Sequence, residues 1–182
     1  MLTINQRGLV RTSVSGTEPI TLAEAKLYLR VDGTSEDSLI ADLITAVREH
    51  AEEYLKRSIV AQTWQLTLDD YAPKRVYLPK GPVSAVNSVN IIDNRGNSEA
   101  VNSEMYQLVP GRDELEITQI IYAHHVQIEY QTGHANSSDV PRSINYGMLS
   151  HLAALYDCRG ESSVAIPADA MALYAAHREV RL

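Results

Sequence analysis

Phenylalanine is missing from the 182 residues, whereas there are 10 tyrosines. Tyrosine sets a polar tip on an apolar body, which suits surfaces that are wet before an assembly forms and covered afterwards. Drift in composition accounts for the same bias. Cysteine is nearly absent too. The single Cys158 excludes an internal disulfide and fits a reducing compartment. No run approaches the roughly 20 apolar residues of a membrane-crossing helix, and the start Met1-Leu2-Thr3-Ile4-Asn5-Gln6-Arg7 lacks a signal-peptide core. The expectation is a chain made and used in soluble form. Positive charge is in short supply, with 16 Lys and Arg against 23 Asp and Glu and a net charge of -7. A protein that grips a nucleic-acid backbone is therefore not the default. An acidic lining that keeps phosphate from sticking in a conduit is compatible with the same charge.

Signatures of catalysis are equally scarce. Gly81, Gly96, Gly111 and Gly133 stand at turns and form no phosphate-cradling loop, and no serine sits in a Gly-x-Ser-x-Gly elbow. His151 and Cys158 share a helix face about two turns apart, too far for a direct hydrogen bond, so a buried thiol is the simpler reading. His124, His125 and His134 invite a metal site. Adjacent residues of a strand point to opposite faces, however, which keeps His124 and His125 from sharing one ion. No catalytic, metal or cofactor residue is assigned, and the chain reads as a non-enzyme with no cofactor.

What is present is hydrophobic content of 45% beside 21% charged residues, the balance of an ordinary globular domain. Thr21 followed by Glu24 is a capping box that starts a first helix over 21–30, with Leu22, Ala25 and Leu29 on one face. Gly33 is suited to end it, and Thr34 or Ser35 to cap the next. A longer helix is predicted over 36–57. Leu39, Ile40, Leu43, Ile44, Val47, Ala51, Tyr54 and Leu55 recur there at helical spacing, and Asp42, Arg48, Glu49, Glu52, Glu53 and Lys56 take the other side.

The period then changes to two. Trp64, Leu66 and Leu68 alternate with Thr63, Gln65 and Thr67, and further short apolar runs separated by turn residues continue through Gln131. An antiparallel sheet of about six strands is expected as an insertion over 60–132. Pro141 opens a third helix over 141–158, with Ile144, Met148, Leu152 and Leu155 facing the second helix. The fold class is α+β, a small helical body with an inserted sheet. Residues 1–18 read as an extended N-terminal arm, either frayed or reaching for a neighbouring subunit, and 161–182 as a C-terminal tail around a single domain of 19–160.

The stretch Pro19-Ile20-Thr21-Leu22-Ala23-Glu24-Ala25-Lys26, continued through both helices to Gln62-Thr63-Trp64, resembles the head-tail connector proteins of tailed phages and gene transfer agents, also called head-completion or adaptor proteins. The likeness is dense over 19–68. It returns in outline at Leu78-Pro79-Lys80-Gly81-Pro82-Val83, at Val126 to Gly133 and at Val140-Pro141. The resemblance implies a structural adaptor in the virion neck, present in the host cytoplasm during assembly. A ring of about twelve copies would sit beneath the portal, extend the channel for double-stranded DNA without reading its sequence, and offer the tail or a stopper protein its attachment surface. It also implies that the tail docks on the portal, through Ile166, Met171, Leu173, Tyr174, His177, Arg178, Arg181 and Leu182. Asp42, Arg48, Glu49, Glu52 and Glu53 form either a solvated face or one that meets the channel or the next subunit. Two alternatives remain: a tail-completion or minor capsid ring protein, and an enzyme or small-ligand binder with a site in the sheet.

Overall fold

The computed structural model describes residues 6–158 and 165–179. Arg181 and Leu182, named above with the tail, lie outside them. The chain divides into two units, a sheet unit of residues 1–15 and 61–133 and a helical unit of 16–60 and 134–182.

In the sheet unit, β1 (Gln6–Val14), β2 (Gln62–Ala72), β8 (Ile121–Thr132), β4 (Val83–Ile92) and β5 (Ser98–Ala100) form one antiparallel sheet in that order. A smaller sheet has the order β3 (Arg75–Tyr77), β7 (Glu114–Ile117), β6 (Tyr106–Leu108). The described residues thus hold more strands than the roughly six expected, in two sheets rather than one. Part of residues 1–18, read as an arm, is paired structure. Gln6 to Val14 lies antiparallel to β2 as the edge strand, with register shifts between Gln6 and Gly8 and between Arg11 and Ser13. Its Gly, Ser and Thr content hides a strand that has an apolar neighbour to pair with only once the sheet forms.

The alternation in β2 works as expected. Leu66 and Leu68 are fully buried opposite Ile128 and Val126, and Val89 of β4 meets Ile128 from the other side. Asp70 takes a left-handed φ of 65° where the register shifts between Asp69 and Tyr71, which resets the alternation. Tyr130 is buried and donates its hydroxyl to the Pro79 carbonyl at 2.9 Å. Burial raises that phenol's pKa well above its ordinary value, so the hydroxyl stays a donor.

In the helical unit, α1 (Leu22–Leu29) opens with the expected capping box. The Thr21 hydroxyl accepts from the Glu24 N–H at 3.2 Å, and Glu24 accepts from the Thr21 N–H at 2.8 Å. The connection that follows differs from expectation. Arg30 itself adopts the left-handed conformation (φ 57°) that ends α1, and α2 (Asp37–Leu55) starts after Glu36 with no side-chain cap from Thr34 or Ser35. Lys26 tethers the turn instead, by an ion pair to Asp37 at 2.5 Å and a bond to the Gly33 carbonyl.

α3 (Arg142–Asp157) and α4 (Ala168–Ala175) complete this unit. Its core joins Ile40, Ile44, Val47, Ala51 and Leu55 of α2 to Ile144, Met148 and Leu152 of α3, with Ala25 from α1 and Ala170 and Tyr174 from α4. Each of these leucine, isoleucine, valine and methionine side chains contributes about 1.5 to 3 kcal/mol on burial. No helix among the described residues is long and apolar enough to cross a membrane.

Candidate functional site

The polar side of α2 does not behave as one face. Arg48 is 3% exposed; its Nε donates to both oxygens of Glu18 (3.1 and 3.0 Å) and its Nη1 to Glu52 at 2.9 Å. The other oxygen of Glu52 accepts from the Ile59 N–H at 2.8 Å, and Glu52 is buried as well. These two residues, grouped from sequence with an outward face, therefore tie α2 to the segments before and after it. Their arc borders the apolar one, where a long charged side chain folds under a neighbouring segment and is covered. Asp42, Glu49 and Glu53 are exposed. At 100° per residue they fall within an arc of about 40°, directly away from the buried side of α2.

The tail residues are split in the same way. Tyr174 is fully buried: its ring lies against Gly147 of α3, where an added Cβ would come within 2.6 Å, and its centroid is 6.0 Å from that of Tyr54. Burial raises its hydroxyl's pKa above the ordinary value. Tyr174 anchors α4 and offers no surface while α4 is docked. Ile166 packs on the same core, and His177 Nε2 is 2.7 Å from the Ser143 hydroxyl. Arg178 is exposed and lies over the Tyr54 ring at 5.2 Å from its centroid. Met171 and Leu173 are half-buried.

Among the described residues, the other titratable side chains stand in separate environments. His151 is completely buried, stacks on His50 at 5.7 Å and has no hydrogen-bond partner at either ring nitrogen. Burial, helped by the charge of His50, pushes its pKa down to about 4, so the ring is neutral. Cys158 caps α3 through its N–H to the Ala154 carbonyl at 3.1 Å. His125 pairs with Asp69 across the sheet at 2.8 Å, and His124 lies beside it. Among the described residues no group of three or more His, Cys, Asp and Glu could hold a metal ion. The sheet unit has a cavity of about 510 Å³ lined by Lys74, Ser103, Glu104, Tyr106, Glu116 and Thr118 among others. Glu116 there already accepts from Gln107 at 3.2 Å and Arg75 at 3.5 Å.

Sequence reasoning missed an exposed apolar strip. Leu27 is 81% exposed and Tyr146 61%, and Tyr28 meets Tyr146 edge-on with centroids 6.2 Å apart. Leu27 lies off the Leu22, Ala25, Leu29 face of α1, a departure readable from the helical spacing, whereas its neighbourhood with Tyr146 of a distant helix is not.

The chain is thus an α+β protein of two units with separate cores, with a buried Arg48–Glu52 pair and exposed aromatic and acidic strips in the helical one. The model of the phage gp6-like head-tail connector proteins matches residues 19–124, and the chain belongs to that family. It is a structural connector of the bacteriophage head-tail interface.

Solved structures with the same fold include a subunit of the neck of an empty gene transfer agent particle computed with C6 symmetry. It has a TM-score of 0.83 at 24% identity over 96% of this chain and 97% of that one. A chain of the virion of the native gene transfer agent particle scores 0.79 at 24% identity, covering 96% of both. One from the neck of the native particle computed with C12 symmetry scores 0.74 at 24% identity, over 96% of this chain and 97% of that one. No curated protein matches the chain.

Proposed function

We propose that this connector works as a ring of identical subunits beneath the portal, extends the DNA channel, and presents the surface to which a tail or stopper protein attaches, without catalysing a reaction. The observation that carries this reading is family membership joined to a likeness in fold over nearly the full length of a chain from a neck with twelve-fold symmetry. Association through many modest interfaces repeated by symmetry supplies the energy, and the portal acts as the template. The net charge of -7 favours passage of duplex DNA over adhesion to it.

The tail's part in portal docking falls to what α4 leaves accessible, Arg178 with the flanks of Met171 and Leu173, and to the terminal residues that include Arg181 and Leu182. The test mixes the full chain with portal rings encoded in the same gene cluster and reads product mass by native mass spectrometry. A discrete complex with one copy per portal subunit is expected. No binding between two folded partners overturns the reading.

A further inference from the structure

The helical unit carries two exposed strips of opposite character. On one, Tyr28 of α1 and Tyr146 of α3 meet edge-on, and Leu27, next to Tyr28 in the chain, is exposed together with Arg30, Arg142 and Glu24. Arg142 lies one helical turn before Tyr146 on the same face, close enough to α1 that its charge adds to the hydrogen bonds of Thr21 in lowering the Glu24 pKa. Tyrosine and arginine are the residue types in which binding energy concentrates at interfaces. A solitary exposed leucine means little, but leucine with two tyrosines in contact is a patch.

The other strip is the outer face of α2, where Asp42, Glu49 and Glu53 are exposed and Leu39, also exposed, adds an apolar element. Glu53 pairs with Lys56 and its side chain is 69% exposed, and the half-exposed Glu49 lies 3.8 Å from Arg48. α1 and α3 pack on the opposite, buried side of α2, so one copy cannot bring its own two strips together.

We propose that the Leu27, Tyr28, Tyr146 strip with its Arg30 and Arg142 rim is one half of the contact between neighbouring copies of this chain, and that the Asp42, Glu49, Glu53 face of the next copy is the other half. This deepens the ring reading above and rests on it. Charge favours a second copy as the occupant. Subunits with a net charge of -7 repel one another unless basic groups are gathered at the contact, and Arg30 and Arg142 provide that opposite an acidic row. Tyrosine hydroxyls add donors that carboxylates accept. Because the two halves differ, the contact is heterologous and continues from copy to copy until it closes. Both halves stand on one helical core, which fixes the angle between successive copies.

Two double variants test this, Leu27→Asp with Tyr146→Asp and Glu49→Lys with Glu53→Lys, each followed by sedimentation alone and with portal rings over a concentration series. All four positions are exposed, so thermal melts close to wild type are expected; if a double variant melts early, Leu27→Asp or Glu53→Lys alone is read in its place. Each variant alone should need about tenfold or more higher concentration to assemble than wild type. A one-to-one mixture should associate, because each partner keeps the half that the other has lost. Wild-type assembly by both variants, or a mixture that stays monomeric, overturns this interface and leaves the ring reading standing. A wild-type chain that forms no ring, alone or on portal, overturns the ring reading and this interface with it.

Discussion

At the scale of single residues, the polar groups that matter most to stability are the hidden ones. Glu52 holds the Arg48 guanidinium and the Ile59 N–H at once, so Glu52→Ala leaves a buried cation short of a partner and a backbone donor unpaired. A loss of about 3 kcal/mol in urea denaturation is expected, since Glu18 still engages Arg48. Asp42→Asn on the exposed row should change stability by less than about 0.5 kcal/mol in the same assay.

His151 gives a pH signature. Its pKa is near 6.5 in the unfolded chain and about 4 when folded, so below pH 6.5 the unfolded state takes up a proton that the native state refuses. The stability due to the neutral ring is complete above pH 6.5 and is lost as pH falls to about 4, a change of about 3 kcal/mol. Denaturation midpoints measured across that window should fall steeply in wild type and more gently in His151→Leu.

At the scale of elements, α4 behaves as part of the helical core rather than as a free tail. Its ring anchor Tyr174 fits because residue 147 has no side chain, and any Cβ there meets the ring at 2.6 Å. Gly147→Ala should therefore loosen α4, costing about 1 to 3 kcal/mol, with faster amide exchange in residues 168–175 as the local readout. Removing 161–182 altogether would strip Ala170 and Tyr174 from the core and confuse folding with binding. Deleting only the three residues after Glu179 keeps α4 anchored. That shorter truncation is expected to weaken portal binding while the melting temperature stays within a few degrees of wild type.

For the molecule as a whole, the ring proposed above would act through repetition and charge. If acidic subunits line a DNA channel as proposed, they should not hold the duplex, and fluorescence anisotropy with a labelled duplex is expected to show no saturable binding at about 0.15 M salt. Tight, salt-sensitive binding would point to a reader of nucleic acid instead.

The sequence by itself determined the elements whose signals are local. The Thr21–Glu24 box, the helical spacing of Ile40 through Leu55 and the alternation of Leu66 and Leu68 each depend on neighbours within a few residues, and each forms as read. The likeness around residues 19–68 also pointed to the family that the chain belongs to.

Only the tertiary structure decided what depends on distant partners. Gln6 to Val14 becomes a strand because β2 offers it an edge, some fifty residues away in sequence. Arg48 and Glu52 are buried because the segments around Glu18 and Ile59 close over them, whereas Asp42, Glu49 and Glu53 on the same helix stay in water. Helical periodicity assigns a residue to an angle around its own axis. It does not say which other segment will cover that angle, and that coverage is what separates the buried network from the exposed row and leaves Leu27 and the Tyr28–Tyr146 pair at the surface.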